Sequence, residues 1–181
     1  MGPENNQSKA TEINLEVYYA NVDNSLLSKI DELKALMSHY PKDIIALNEV
    51  KPKYGEITSH EALNIKGYDL FTSDFLQADT RGVCIYVKSH LSATQIIPVP
   101  NSNTTLSYND CVWVTIAGDA GVKLLFGCVY RSGTPATAKK YDDALFANLL
   151  WASKERNEIH KIIVGDLICL ILAGLLDLKQ I

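Results

Sequence analysis

The chain has 181 residues, with 17 basic and 21 acidic side chains, a net charge of −4, 47% hydrophobic residues and 21% charged ones. These are globular proportions at single-domain length, and they exclude a disordered tail, a collagenous repeat and a coiled coil. A mildly acidic chain also lacks the bulk positive charge of histone-like binders, so nucleic-acid contact would run through a local patch or metal ions.

Residues 1–11 are polar, with no apolar signal region, and read as a disordered lead-in. Ile13, Leu15, Val17 and Tyr19 alternate with polar residues, the period of a half-buried strand. Residues 21–24 form a turn and a helix N-cap. Leu26, Leu27, Ile30, Leu33, Leu36 and Met37 then mark one face of a helix over 25–40, which Pro41 stops. Residues 43–47 are a continuous apolar strand, followed at once by Asn48 and Glu49. Residues 51–67 are loop-like.

Five further strands are predicted over 68–72, 82–88, 93–99, 111–116 and 122–130, the last two joined as a hairpin through Gly118-Asp119-Ala120-Gly121. After a Gly/Pro loop, Tyr141, Leu145, Phe146, Leu149 and Leu150 predict a second amphipathic helix that ends near His160. Ile162, Ile163 and Val164 form a last strand, which delivers Gly165 and Asp166 at its end. There is no internal repeat. This order predicts a mixed sheet covered by helices, an α/β (α+β) arrangement.

The cysteines, Cys84, Cys111, Cys128 and Cys169, form no C-x-x-C pair. Three lie in strand-like runs and read as buried thiols in a reducing compartment. The apolar stretch 167–178 is well short of the ~20 residues a spanning helix needs, and Asp177 interrupts it. Nuclear or cytoplasmic localisation is expected, without secretion. His39, His60, His90 and His160 have no neighbour at ligand spacing and are expected at the surface.

Polar residues recur at the strand ends. Asn21 and Asp23 follow the first strand, Glu49 the second, and Asp166 the last. Acids gathered at one sheet edge suit a hard cation such as Mg²⁺, which binds through one or two carboxylates and keeps its waters. Glu49 is the sharpest candidate, because a carboxylate so soon after the apolar run of a strand is partly desolvated and needs a cationic partner. For Asp23, helix capping is a sufficient explanation. Tyr130 and Arg131 end another strand, where a phenol and a guanidinium fork can hold a phosphate.

Five ordered blocks resemble the exonuclease–endonuclease–phosphatase superfamily, and within it the endonuclease domain of non-LTR retrotransposons. They are Y-A-N-V-D-N-S-L-L-S-K-I-D-E-L from Tyr19, D-I-I-A-L-N-E-V-K from Asp43, R-G-V-C-I-Y-V-K from Arg81, L-F-G-C-V-Y-R from Leu125, and I-V-G-D from Ile163. The resemblance implies a four-layer sandwich of two mixed β-sheets flanked by helices. It implies a Mg²⁺- (or Mn²⁺-) dependent endonuclease that nicks DNA, with a reverse transcriptase domain in the parent element. Carried over, Asn21 and Glu49 hold the metal and Tyr130 contacts the scissile phosphate. Asp166 orients the attacking water, and Asp23 matches an acidic position more loosely. Another phosphodiesterase or phosphatase of the superfamily, or a non-catalytic remnant, are the alternative readings.

The chain departs from the family after Asp166. Leu167-Ile168 stand where the family has Phe-Asn, and an alkyl group cannot replace an amide donor. The family continues into strands that end in an Asp and a His, whereas this chain stops at Ile181. The expectation is therefore an incomplete, inactive domain over 12–166 with C-terminal strands missing, and an aberrant apolar tail over 167–181. One coding string permitted for residues 166–174 is GAT TTA ATT TGC CTC ATA TTA GCT GGG. With one T inserted after GAT it reads D-F-N-L-P-H-I-S-W, a family-like continuation. The tail is thus expected to result from a single-base frameshift.

Overall fold

The computed structural model describes residues 14–23, 25–52, 60–74, 80–98, 108–117, 123–131, 138–158 and 160–166. They form two four-stranded mixed sheets packed face to face, with a helix on each outer face. One sheet has the order β1-β2-β4-β3, from β1 (Val17–Asn21), β2 (Ile44–Asn48), β3 (Tyr68–Thr72) and β4 (Val83–Lys88). The other has the order β5-β6-β7-β8, from β5 (Ala93–Ile96), β6 (Cys111–Ala117), β7 (Lys123–Tyr130) and β8 (His160–Asp166). Only β1–β2 and β7–β8 are parallel. Each parallel pair is bridged by a helix, α1 (Ile30–His39) or α2 (Ala138–Leu150), as a crossover requires.

Alternation along the strands builds three apolar layers. Ile44, Ala46, Val83, Ile85 and Val87 meet Val112, Val114, Leu124, Phe126 and Cys128 between the sheets. Ile45, Leu47, Cys84 and Tyr86 face outward and pack on Ile30, Leu33 and Met37 of α1. Trp113, Leu125 and Val129 face outward on the second sheet, against Leu145 and Leu149 of α2. Gly127 serves this last layer. A Cβ there would lie 2.3 Å from Cζ3 of Trp113, so only glycine lets the indole lie across β7.

Several predicted boundaries shift. Helix α1 begins at Ile30 rather than 25, because Leu26 first anchors its N–H to Val50 O at 2.9 Å and a turn follows. Its N-cap is Lys29, with no side-chain cap, so residues 21–24 do not cap it. Leu26, Ile30, Leu33 and Met37 are buried, whereas Leu27 and Leu36 are 44% and 37% exposed, so the apolar face is narrower than predicted. Helix α2 stops at Leu150 and passes into one π-helical turn, Trp151–Glu155. That turn seats Trp151 edge-on against Trp113 with centroids 5.7 Å apart, and His160 then opens β8 instead of closing the helix. All four histidines are exposed. Among the described cysteines, Cys84 and Cys128 are buried, Cys111 is half-buried, and all three are free thiols. The hairpin turn 118–121 and the segments expected as lead-in, 1–11, and tail, 167–181, lie outside the described residues.

Candidate functional site

The C-terminal ends of β1, β2, β7 and β8 lie at one end of the sandwich. Asn21 is register partner to Asn48, and Tyr130 to Asp166. Asn48 ties the two sheets together. It is fully buried, its Nδ2 donates to Val129 O at 3.2 Å and to the Tyr19 hydroxyl at 3.1 Å, and its Oδ1 accepts from Cys128 Sγ at 3.2 Å. Sequence reading passed over Asn48, although a lone amide closing an apolar strand marks a buried polar contact that must be satisfied.

Glu49 follows with a φ of +55°, a left-handed conformation uncommon for a side chain of this kind. Strict alternation would send residue 49 to the α1 side of the sheet. The turn instead brings its carboxylate to residues on the inter-sheet face. Asn21 Nδ2 donates to Glu49 Oε1 at 2.9 Å, Arg81 Nη2 donates to Oε2 at 2.7 Å, and the Tyr130 hydroxyl also donates to the carboxylate. Burial alone would raise the Glu49 pKa. The hydrogen bonds from Asn21 and Tyr130 and the Arg81 charge outweigh it, so the group sits below its ordinary value. Burial, and then the Glu49 bond and charge, push the Tyr130 phenol upward, and Asp166 adds to this. Tyr130 is therefore a neutral donor at physiological pH. Tyr19 is raised too, by burial first, with the nearby Asp166 carboxylate adding to it.

Asp166 reaches this cluster through β8. The preceding Gly165 has a φ of +148°, and a Cβ there would lie 1.8 Å from Val129 O. Only glycine lets the end of β8 come so close to β7. Asp23 enters through its backbone, whose N–H donates to Asn21 Oδ1 at 2.9 Å. Arg131 is turned elsewhere. Its Nε and Nη2 grip Asp142 of α2 at 2.6 and 3.0 Å, so its fork braces a helix rather than joining the Glu49 cluster.

Sequence reasoning also missed Arg81 and Asp110. Asp110 is buried, and its Oδ1 accepts from the N–H groups of both Arg81 and Gly82 at 3.0 Å. It thereby fixes the loop from which Arg81 reaches Glu49. The signal was a charged residue directly before the Gly82 strand, but its partner lies 32 residues away. The donors of Asn21, Glu49 and Asp166 are all oxygens, which suits a hard cation that keeps waters. Among the described residues, no three His, Cys, Asp or Glu groups form a protein-only metal cage. Nor is any described helix long and apolar enough to cross a membrane.

Residues 18–167 match the family model described as Endonuclease/Exonuclease/phosphatase family. No curated protein matches the sequence. Similar solved folds include a humanized D. rerio TDP2, at a TM-score of 0.61 and 16% identity over 91% of this chain and 68% of that one. The D. rerio TDP2 complexed with a single-strand DNA product gives 0.54 and 16%, over 90% and 66%. The 3′ phosphatase NExo from Neisseria, bound to a product DNA hairpin, gives 0.56 and 18%, over 84% and 57%. At these identities the likeness is one of fold, and this chain spans 57% to 68% of the lengths of those proteins.

Proposed function

The chain belongs to the endonuclease/exonuclease/phosphatase family, and on that premise we propose that it derives from the DNA-nicking endonuclease of a non-LTR retrotransposon. In this reading Asn21 and Glu49 hold a Mg²⁺ or Mn²⁺ ion, Tyr130 donates to the scissile phosphate, and Asp166 orients the attacking water. The parent element would carry a reverse transcriptase. The observation that carries the proposal is the hydrogen-bonded meeting of Asn21, Glu49 and Tyr130, with Asp166 as the register partner of Tyr130. When bound, the cation supplies neutralisation of phosphate charge and a more acidic water. The neutral phenol of Tyr130 is a donor suited to a phosphate oxygen. Asp166, at the same strand end, is an acceptor suited to a water proton. The DNA products bound to the TDP2 and NExo structures named above support a nucleic-acid substrate.

Catalytic power is expected to be crippled. Ile168 stands where the resemblance places an amide donor to the phosphate, and losing one such donor lowers turnover about 10²–10³-fold. The test is nicking of supercoiled plasmid in Mg²⁺. The 181-residue chain should stay at background. The product read after the single-base insertion should nick, and should lose activity with chelator or on Glu49→Gln. Nicking by the original chain, abolished by Glu49→Gln, would refute the dead-remnant part. A silent repaired product would refute the endonuclease part. The fold likeness to a 3′ phosphatase keeps a second reading, which the repaired product would reveal by releasing phosphate from a 3′-phosphorylated oligonucleotide without nicking plasmid.

A further inference from the structure

We infer that Arg81 is an internal competitor for the cation site, its guanidinium holding the carboxylate oxygen that a divalent cation needs. The inference rests on the reading of Glu49 as a cation ligand. Glu49 is held by three donors: Asn21 Nδ2 on Oε1 at 2.9 Å, Arg81 Nη2 on Oε2 at 2.7 Å, and the Tyr130 hydroxyl. Asn21 presents its nitrogen to Glu49, while its oxygen accepts from the Asp23 N–H at 2.9 Å. Glu49 Oε1 and Oε2 and Asn21 Oδ1 are thus each engaged by a hydrogen-bond donor of the chain itself.

The backbone of Arg81 is fixed beside Glu49, so its guanidinium always starts within reach of the carboxylate. The Arg81 N–H donates to Asp110 Oδ1 at 3.0 Å and its carbonyl accepts from Lys51 N at 2.9 Å, while Val50 N donates to Gly82 O at 3.2 Å. The strand end that carries Glu49 and the loop that carries Arg81 are therefore one hydrogen-bonded unit. The side chains of Arg81 and Glu49 are only 26% and 17% exposed, so solvent screens the pair less than it would at an open surface. A cation placed on the same carboxylate would stand within a few ångströms of a guanidinium. Two like charges that close repel strongly in a partly desolvated site. Cation and Arg81 therefore exclude one another at Oε2, and cation entry requires the guanidinium to swing off and the Asn21 amide to turn.

The experiment is Mn²⁺ titration of the metal-free 181-residue protein by calorimetry, repeated on Arg81→Ala, Arg81→Gln and Glu49→Gln, with circular dichroism to verify folding. Removal of a full positive charge beside the site should tighten Mn²⁺ about tenfold or more in both Arg81 variants. It should also enlarge the rise in melting temperature on adding Mn²⁺. Glu49→Gln should abolish binding. If Glu49→Gln abolishes binding but the Arg81 variants bind no tighter than the original protein, Arg81 is not a competitor and this inference alone fails. If folded Arg81→Ala and Arg81→Gln bind no Mn²⁺ at all, the cation reading of Glu49 falls and takes the inference with it.

Discussion

Glu49 and Asp43 show how carboxylates at two strand ends take on different tasks. Asp43 stands just before β2, at the far end from the cluster, and is wholly occupied by the fold. Its Oδ2 accepts from Glu16 N at 2.8 Å and its Oδ1 from Lys88 Nζ at 2.9 Å. Glu49 is held by three side-chain donors, on a left-handed backbone that re-aims it. Sequence pattern made Glu49 legible, because a carboxylate directly after an apolar strand must find partners. It could not name them, since Arg81 and Tyr130 arrive from distant segments.

The lowered pKa of Glu49 gives a signed prediction. The ionised form is favoured in the folded state, so its contribution to stability is present above the ordinary glutamate value of about 4.3 and is lost as pH falls through the lower folded value. Urea denaturation of the original protein and of Glu49→Gln should differ by a constant amount from about pH 5.5 to 8, and the two should converge below about pH 4. A gap that persists undiminished at pH 3 would mean that the Arg81 and Tyr130 contacts do not favour the charged carboxylate.

Among the elements, β8 is the one whose sequence motif has the most direct physical cause. The glycine of I-V-G-D permits contact with β7 that no side chain could share, since a Cβ on Gly165 would overlap Val129 O at 1.8 Å. Gly165→Ala should therefore part the end of β8 from β7 and lower stability by about 1–3 kcal/mol, the range for overpacked or strained positions. Near-ultraviolet circular dichroism from Tyr130, the register partner of Asp166, should change with it. Unchanged stability would mean that the strand end relaxes freely, and Gly165 would then not be what positions Asp166.

Strand order along the chain was legible because alternation and apolar runs survive as local signals. The ends of α1 and α2 were not, because tertiary contacts decide them. Leu26 spends its N–H on Val50, and Trp151 leaves the helix to meet Trp113. The Asp142 partner of Arg131 was not legible either, for a similar reason. The α2 carboxylate that engages it is absent from any local pattern.

In the whole molecule, the two sheets share a well-filled interior that thins toward the side where β1 and β8 stand. Both are outer strands of their sheets among the described residues. Val17 and Val164 are only partly buried against the inter-sheet core, while Tyr19 and Ile162 remain 38% and 39% exposed. By contrast, the β2 and β4 residues that face this core, from Ile44 to Val87, are fully buried. Apolar side chains flanking strands with unpaired backbone form a surface prone to edge-to-edge association. The net charge of −4 gives only weak repulsion to oppose it. Sedimentation velocity should accordingly show a coefficient that rises with protein concentration at low micromolar to millimolar loading. Ile162→Lys puts a charge on this surface at a position that is already part-exposed, so it should suppress the rise with little loss of stability, as is usual for exposed substitutions. A protein that sediments as a monomer at every concentration, with Ile162→Lys making no difference, would show that the β1 and β8 side does not seek a partner.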